Sequence, residues 1–242
     1  MNAVRAWRPI GAALLATVLS LSSAASGSYP PVLGTAVVED MMKPITSESY
    51  SIAVPPLPVE NTGQAIEFHS GILSSDRASF IKSTVSYGCE IGQSRACFPP
   101  FVNRYVFYVS LINLTSTNRA QYPSSGIVVT PGSTYAVSIA LSACSRTTAL
   151  VLYSISNSTW SFSSQSACFA ANIYRYVYAG MTEIHNATDC SQFPASNFLL
   201  QSKILVNNLP AANWTNVPLT PPIDCGLSVS TLANNVAVLW NG

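Results

Sequence analysis

The sequence predicts an all-β protein, a sandwich or a barrel, and three observations carry that expectation. Runs rich in β-branched and aromatic residues recur between turn signals along most of the chain. No segment sustains an apolar period of 3.6 residues with helix caps. The length left after an N-terminal leader suits one domain with a real core.

The elements follow in chain order. Arg5 and Arg8, an apolar run from Ile10 to Leu21, and the small residues from Ser22 to Ser26 have the three-part layout of a secretory signal peptide, expected to span residues 1–25. The run is shorter than the ~20 apolar residues a bilayer crossing needs, and no later stretch reaches that length, so the expectation is a secreted, extracellular protein without a membrane span. Residues 26–58 read as an irregular N-terminal arm, opened by Pro30, Pro31 and Gly34 and closed by Pro55, Pro56 and Pro58. Strands are expected over 64–71, 78–87, 104–112, 134–141, 149–156, 159–166, 174–185, 198–206 and 227–240. Pro131 and Gly132 predict a type II turn, because proline presets the first turn position and glycine accepts positive φ at the second. The segment from Ser154 to Trp160, with Asn157 and Ser158 at its tip, predicts a hairpin connection.

Composition narrows the function. Only 9% of the residues are charged and the formal net charge is +1, so no basic field is present to hold a nucleic acid or an anionic membrane. A surface with few ionised groups also loses few native ion pairs in acid, which fits an acidic extracellular setting. Six cysteines, Cys89, Cys97, Cys144, Cys168, Cys190 and Cys225, form an even set behind an export signal, so disulfides are the default. Pairing of neighbours is expected: Cys89 with Cys97, Cys144 with Cys168, and Cys190 with Cys225. No cysteine pair has the close spacing of structural zinc sites, and no metal or other cofactor is expected. Asn113, Asn157, Asn186 and Asn213 each begin an Asn-x-Ser/Thr acceptor pattern for N-glycosylation. Ser-His-Asp hydrolysis is disfavoured, since no Gly-x-Ser-x-Gly elbow occurs and the chain has two histidines.

Four motifs together resemble the eqolisin-like group, the glutamic (G1) peptidases and their relatives. They are Gly63-Gln-Ala-Ile-Glu-Phe-His-Ser-Gly71, Phe80-Ile-Lys-Ser-Thr-Val-Ser-Tyr-Gly88, the Pro-Gly strand over 131–139, and Cys190-Ser-Gln-Phe-Pro194. The resemblance covers most of the chain after residue 50 and implies a concanavalin A-like antiparallel β-sandwich, or jelly roll, as a single domain over residues 59–242. Active members of the group work with a Gln and a Glu facing each other on the concave sheet, where carboxyl and carboxamide share proton transfer and oxyanion binding. By that resemblance Lys82 takes the Gln position. If Glu183 is the second Glu of the motif, Ala179 takes the catalytic Glu position. The implied protein is catalytically degenerate. The alternative is an acid endopeptidase with a non-standard site, for which Lys82 and Glu183 are the candidates.

Alternation suggests what such a groove holds instead. With Ile66 and Phe68 in the core, Glu67 and His69 point to the opposite, open face, and Lys82 and Thr84 join them if Ile81 and Val85 face inward. On the strand over 174–185, Ala179, Met181, Glu183 and His185 fall on one face. The groove candidates are therefore Glu67, His69, Lys82, Thr84, Met181, Glu183 and His185. They could form a polar binding groove or merely ion pairs on an exposed sheet surface. Tyr105, Phe107, Tyr174, Tyr176 and Tyr178 alternate as well, chiefly as expected core rings, with a sugar-stacking platform as the other reading. The expected partner is an extracellular polysaccharide or an extended polypeptide.

Overall fold

The structure, a computed structural model, describes residues 32–60, 63–88, 103–113, 120–121, 126–185, 187–194, 198–217 and 225–241. Its strands in chain order are β1 (Val32–Ile45), β2 (Ser47–Ala53), β3 (Ala65–Ser74), β4 (Ser79–Gly88), β5 (Tyr105–Asn113), β6 (Ala120–Gln121), β7 (Ile127–Val129), β8 (Thr134–Ala143) and β9 (Thr148–Ser156). They continue with β10 (Ser161–Gln165), β11 (Phe169–Ala170), β12 (Tyr174–His185), β13 (Phe198–Val206), β14 (Leu209–Pro210), β15 (Thr215–Asn216), β16 (Ser228–Leu232) and β17 (Asn235–Leu239). A 3-10 turn over Cys190–Gln192 is the helical element among the described residues. The first sheet has the order β15-β1-β12-β3-β4-β5-β6, with β7 also on β5. The second has the order β10-β9-β8-β2-β13-β17-β16, with β11 on β9 and β14 on β13. Pairing is antiparallel throughout both sheets. The expected two-sheet antiparallel sandwich is thus the fold.

Alternation builds the core. Ile66 and Phe68 on β3, Ile81 and Val85 on β4, and Phe107 and Val109 on β5 meet Tyr50 and Ile52 on β2, Val137 and Ile139 on β8, and Val236 and Val238 on β17. Each such aliphatic or aromatic side chain contributes about 1.5–3 kcal/mol when fully buried. Trp240 stacks on Phe68 with ring centroids 5.8 Å apart, and its indole N–H donates to the Pro194 carbonyl at 3.0 Å. The Pro131–Gly132 turn forms as expected: Gly132 has φ +75° and Ser133 N–H donates to the Thr130 carbonyl at 3.3 Å. The hairpin tip closes with Asn157 N–H donating to the Trp160 carbonyl at 3.0 Å.

The expected irregular arm over 26–58 is corrected by the structure, since β1 and β2 occupy much of it. Its prolines bracket these strands more than they interrupt them. Ser47 to Ala53 alternates between half-buried and buried, the period of a strand with one face in the core. Pro44 lies where β1 loses register against β12, between Asp40 and Ile45, so the missing N–H falls at an irregularity. Thr46 carries the chain from one sheet to the other, and its N–H and hydroxyl both donate to Asn207 Oδ1, at 2.8 and 3.0 Å. The single strand expected over 227–240 is likewise corrected to a hairpin. Ala233 adopts φ +50°, and Leu232 pairs with Asn235 across the turn.

Two of the three expected disulfides, Cys144–Cys168 and Cys190–Cys225, are formed. Cys89 and Cys97, the leader over residues 1–25, and Asn186 lie outside the described residues. No helix among the described residues is long and apolar enough to cross a membrane.

Candidate functional site

The side chains of the first sheet that do not enter the core lie on its outer face. There His69 on β3 is cross-strand neighbour to Thr84 on β4, which in turn neighbours Tyr108 on β5. One row along, Gly71 pairs with Lys82 and Lys82 with Ser110. A Cβ at Gly71 would sit 2.4 Å from the Ile81 carbonyl oxygen and 3.0 Å from Lys82 Cα, so glycine alone fits opposite Lys82.

These strands bring Glu67, His69, Lys82 and Thr84 together, as alternation predicts. Tyr108 OH donates to Glu67 Oε1 at 2.8 Å. The other carboxylate oxygen, Oε2, lies 3.3 Å from His69 Nε2 and 3.7 Å from Lys82 Nζ, yet it accepts no hydrogen bond. His69 and Glu67 thus approach closely without a hydrogen bond between them. Lys82 Nζ sits 3.4 Å from His69 Nε2. On its other side the imidazole Nδ1 shares a hydrogen bond with Thr84 Oγ1 at 2.7 Å. The centre is a Glu67–Lys82 ion pair with His69 beside both groups, held from the sides by a phenol and a hydroxyl.

The expectation of an open face is corrected. Glu67 is 2% exposed, His69 0%, Lys82 6% and Thr84 0%. Alternation tells which face a side chain takes and nothing about what lies over that face. An ion pair this buried gains attraction in a low dielectric and needs all of it, because each charge alone would carry a desolvation cost of several kcal/mol. Farther along the same face the residues turn apolar. Leu73, Phe80, Ile112, Tyr178 and Met181 form a second cluster with Ala36, Val38 and Val217. Phe80 meets Tyr178 edge-on, with centroids 6.0 Å apart. Met181, expected among the groove residues, belongs to this apolar half. Tyr176 packs at its margin and keeps part of its surface in solvent, whereas Tyr105, Phe107 and Tyr174 are core rings.

A bulge on β12 corrects the expected placement of Ala179. The register against β3 slips between Tyr178, opposite Gly71, and Met181, opposite His69. Gly180 takes φ +58° there, and its N–H donates to Gln201 Oε1 at 2.7 Å. Tyr178 and Met181 consequently share the outer face, while Ala179 packs in the core between the sheets. Ala179 and Lys82 do not face each other, so the pair of positions suggested by the resemblance is not a pair in space. Glu183 and His185 are placed by backbone register alone, opposite Glu67 and Ala65.

Sequence reasoning missed Tyr108, although it alternates with Val106 and Ser110 on the same strand as Tyr105 and Phe107. It also missed a buried polar layer between the sheets, made by Glu48, Tyr50, Ser70, Ser83 and Gln201. The period-two pattern of residues 47–53 was the available signal for Glu48 and Tyr50. Among the described residues, no group of three His, Cys, Asp or Glu is arranged to hold a metal ion. None of the described buried glutamines lies on the outer face beside a carboxylate. Gln64 donates to the Glu60 and Gln192 carbonyls, Gln192 caps the 3-10 turn, and Gln201 reaches between the sheets.

These features define a two-sheet antiparallel sandwich with an ionised centre on the outer face of one sheet. The fold is that of the eqolisin peptidases. The chain resembles scytalido-glutamic peptidase bound to a peptide-based transition-state analogue, with a TM-score of 0.55 and 10% identity over 87% of this chain and 98% of that one. The same peptidase with a transition-state analogue inhibitor gives 0.54 and 11% over the same shares. SCP-B, a member of the eqolisin family in complex with the tripeptide Ala-Ile-His, gives 0.54 and 10%, again over 87% and 98%. Identity this low speaks for fold and not for activity. No protein-family model matches the chain, and no curated protein sequence does.

Proposed function

We propose that this is a secreted, disulfide-bonded, glycosylated sandwich that binds an extended polysaccharide or polypeptide at the solvent-reaching margin of its first sheet's outer face, beside Tyr176, without cleaving it. The observation that carries the reading is the composition of that face. A lysine, a histidine and a glutamate occupy its polar centre, and among the described residues no carboxamide stands beside the carboxylate to complete an acid-base and oxyanion pair. The two disulfides support an oxidising compartment. Asn157 and Asn213 support glycan attachment, the first at a hairpin tip and the second on an exposed segment. Among the described residues Tyr176 is the aromatic ring of that face with surface in solvent, and it is the natural first contact for a sugar ring or a side chain.

The test is binding of the mature protein to soluble extended polysaccharides and to unfolded polypeptides, at acid and neutral pH. One class should bind, and Tyr176→Ala should weaken that binding about tenfold, as loss of an aromatic anchor does. Binding that is indifferent to Tyr176, or absent for both classes, contradicts the reading. A second reading, an acid endopeptidase with a non-standard site, is favoured by one observation: Glu67 and Glu183 occupy directly paired positions on adjacent strands.

A further inference from the structure

Behind the Glu67–His69–Lys82 centre, on the core side of the same strands, lies a carboxyl group with no counter-charge among the described residues. Glu48 on β2 is 1% exposed and points between the sheets. Its neighbours on the flanking strands are Ile139 of β8 and Val206 of β13. Tyr50, two residues along its own strand, is the titratable group nearest in character, and it too is held neutral, its phenol pushed far above the ordinary value by burial first and by Glu48 second. From the first sheet the groups facing it are uncharged: the Ser70 hydroxyl of β3 and, through it, the Tyr178 carbonyl of β12. Glu67, His69 and Lys82 lie on the opposite face of that sheet.

The hydrogen count favours a protonated carboxyl. Ser70 Oγ touches Glu48 Oε1 and also donates to the Tyr178 carbonyl at 2.9 Å, but a hydroxyl has one proton. A proton on Glu48, donated to Ser70, makes both contacts full hydrogen bonds, whereas an ionised Glu48 would have to share the one hydroxyl proton with the Tyr178 carbonyl. Its second oxygen, Oε2, has no hydrogen-bond partner, which a neutral carboxyl tolerates far better than a carboxylate. The bonds from this layer end on the backbone that positions the outer-face centre. Ser70 holds Tyr178 O at the β12 bulge, Gln201 holds Gly180 N and reaches the His69 carbonyl at 3.3 Å, and Ser83 Oγ donates to the Ser70 carbonyl at 3.2 Å while meeting Tyr50 OH at 2.7 Å.

We propose that Glu48 is a proton-held latch between the sheets: the neutral carboxyl fastens β3 and β12 behind the Glu67–His69–Lys82 centre, and ionisation releases them. The inference is independent of which ligand the outer face binds. Burial pushes the carboxyl up to about 7, and the Ser70 bond offsets part of that rise. Because the folded value is raised above the unfolded one, the native state holds more protons between the two. The latch is therefore fully effective in acid below the unfolded value, and its contribution to stability is lost as pH rises through about 7.

Thermal and chemical denaturation of the mature protein and of Glu48→Gln, from acid to mildly alkaline pH, tests this. The folding equilibrium constant of the wild type should fall by about two orders of magnitude relative to the variant as pH rises through the window, since Gln cannot ionise. Parallel profiles for the two proteins would overturn the proposal. If Glu48→Gln does not fold, the wild type decides by infrared spectroscopy. A protonated-carboxyl stretch persisting at about pH 6, where ordinary carboxyls are ionised, and lost in mild alkali, supports the latch, and no such band at about pH 6 overturns it.

Discussion

Lys82 and Glu67 are buried charges that offset one another across 3.7 Å. Removing one partner leaves a buried, uncompensated charge, so Lys82→Met should cost about 3–5 kcal/mol by denaturant unfolding. Adding Glu67→Leu to that variant should recover part of the loss, so the double change costs less than the sum of the single ones. Additive losses would mean that the two groups are solvated separately. That Glu67, His69, Lys82 and Thr84 meet was legible from alternation, because Ile66, Phe68, Ile81 and Val85 declare the core side of their strands. Their burial was not legible, since coverage of a face depends on contacts distant in sequence. The protonation of Glu48 was hidden for the same reason: a glutamate in a Ser-rich stretch shows no sign that its neighbours across the sandwich are a serine and a carbonyl.

At the scale of the element, β12 shows how far a pattern can be read. Its limits, Tyr174 to His185, follow from the run of aromatic and β-branched residues. Its bulge does not, although a glycine inside a strand pattern is the available hint. Gly180 at φ +58° reverses the alternation upstream of Met181, which is why Ala179 packs in the core and Tyr178 does not. A Cβ at Gly180 would lie 2.7 Å from Val236 Cγ1. Gly180→Ala should therefore cost about 1–2 kcal/mol for the left-handed backbone and more for the contact, visible as a lowered Tm. An unchanged Tm would mean that the bulge can relax into regular pairing. The N-terminal strands β1 and β2 were unread for a different reason. Proline weighs heavily as a breaker in local reading, whereas here it stands mostly at strand ends and at a register shift.

For the molecule as a whole, the sandwich was legible because strand density, absence of helical period and even cysteine number agree with one another. Two disulfides with separations of 24 and 35 residues add restraint that composition alone announced. Fold and chemistry part company at the outer face. The architecture matches peptidases, while the described side chains at its polar centre form an ion pair beside an imidazole and lack a carboxamide partner for the carboxylate. The most direct test is an assay of the mature protein on denatured protein at about pH 2 to 4, where a carboxyl acid is still protonated. The account predicts no cleavage above background. Cleavage that is abolished by Glu183→Gln or Glu67→Gln, in variants shown to be folded, would contradict it.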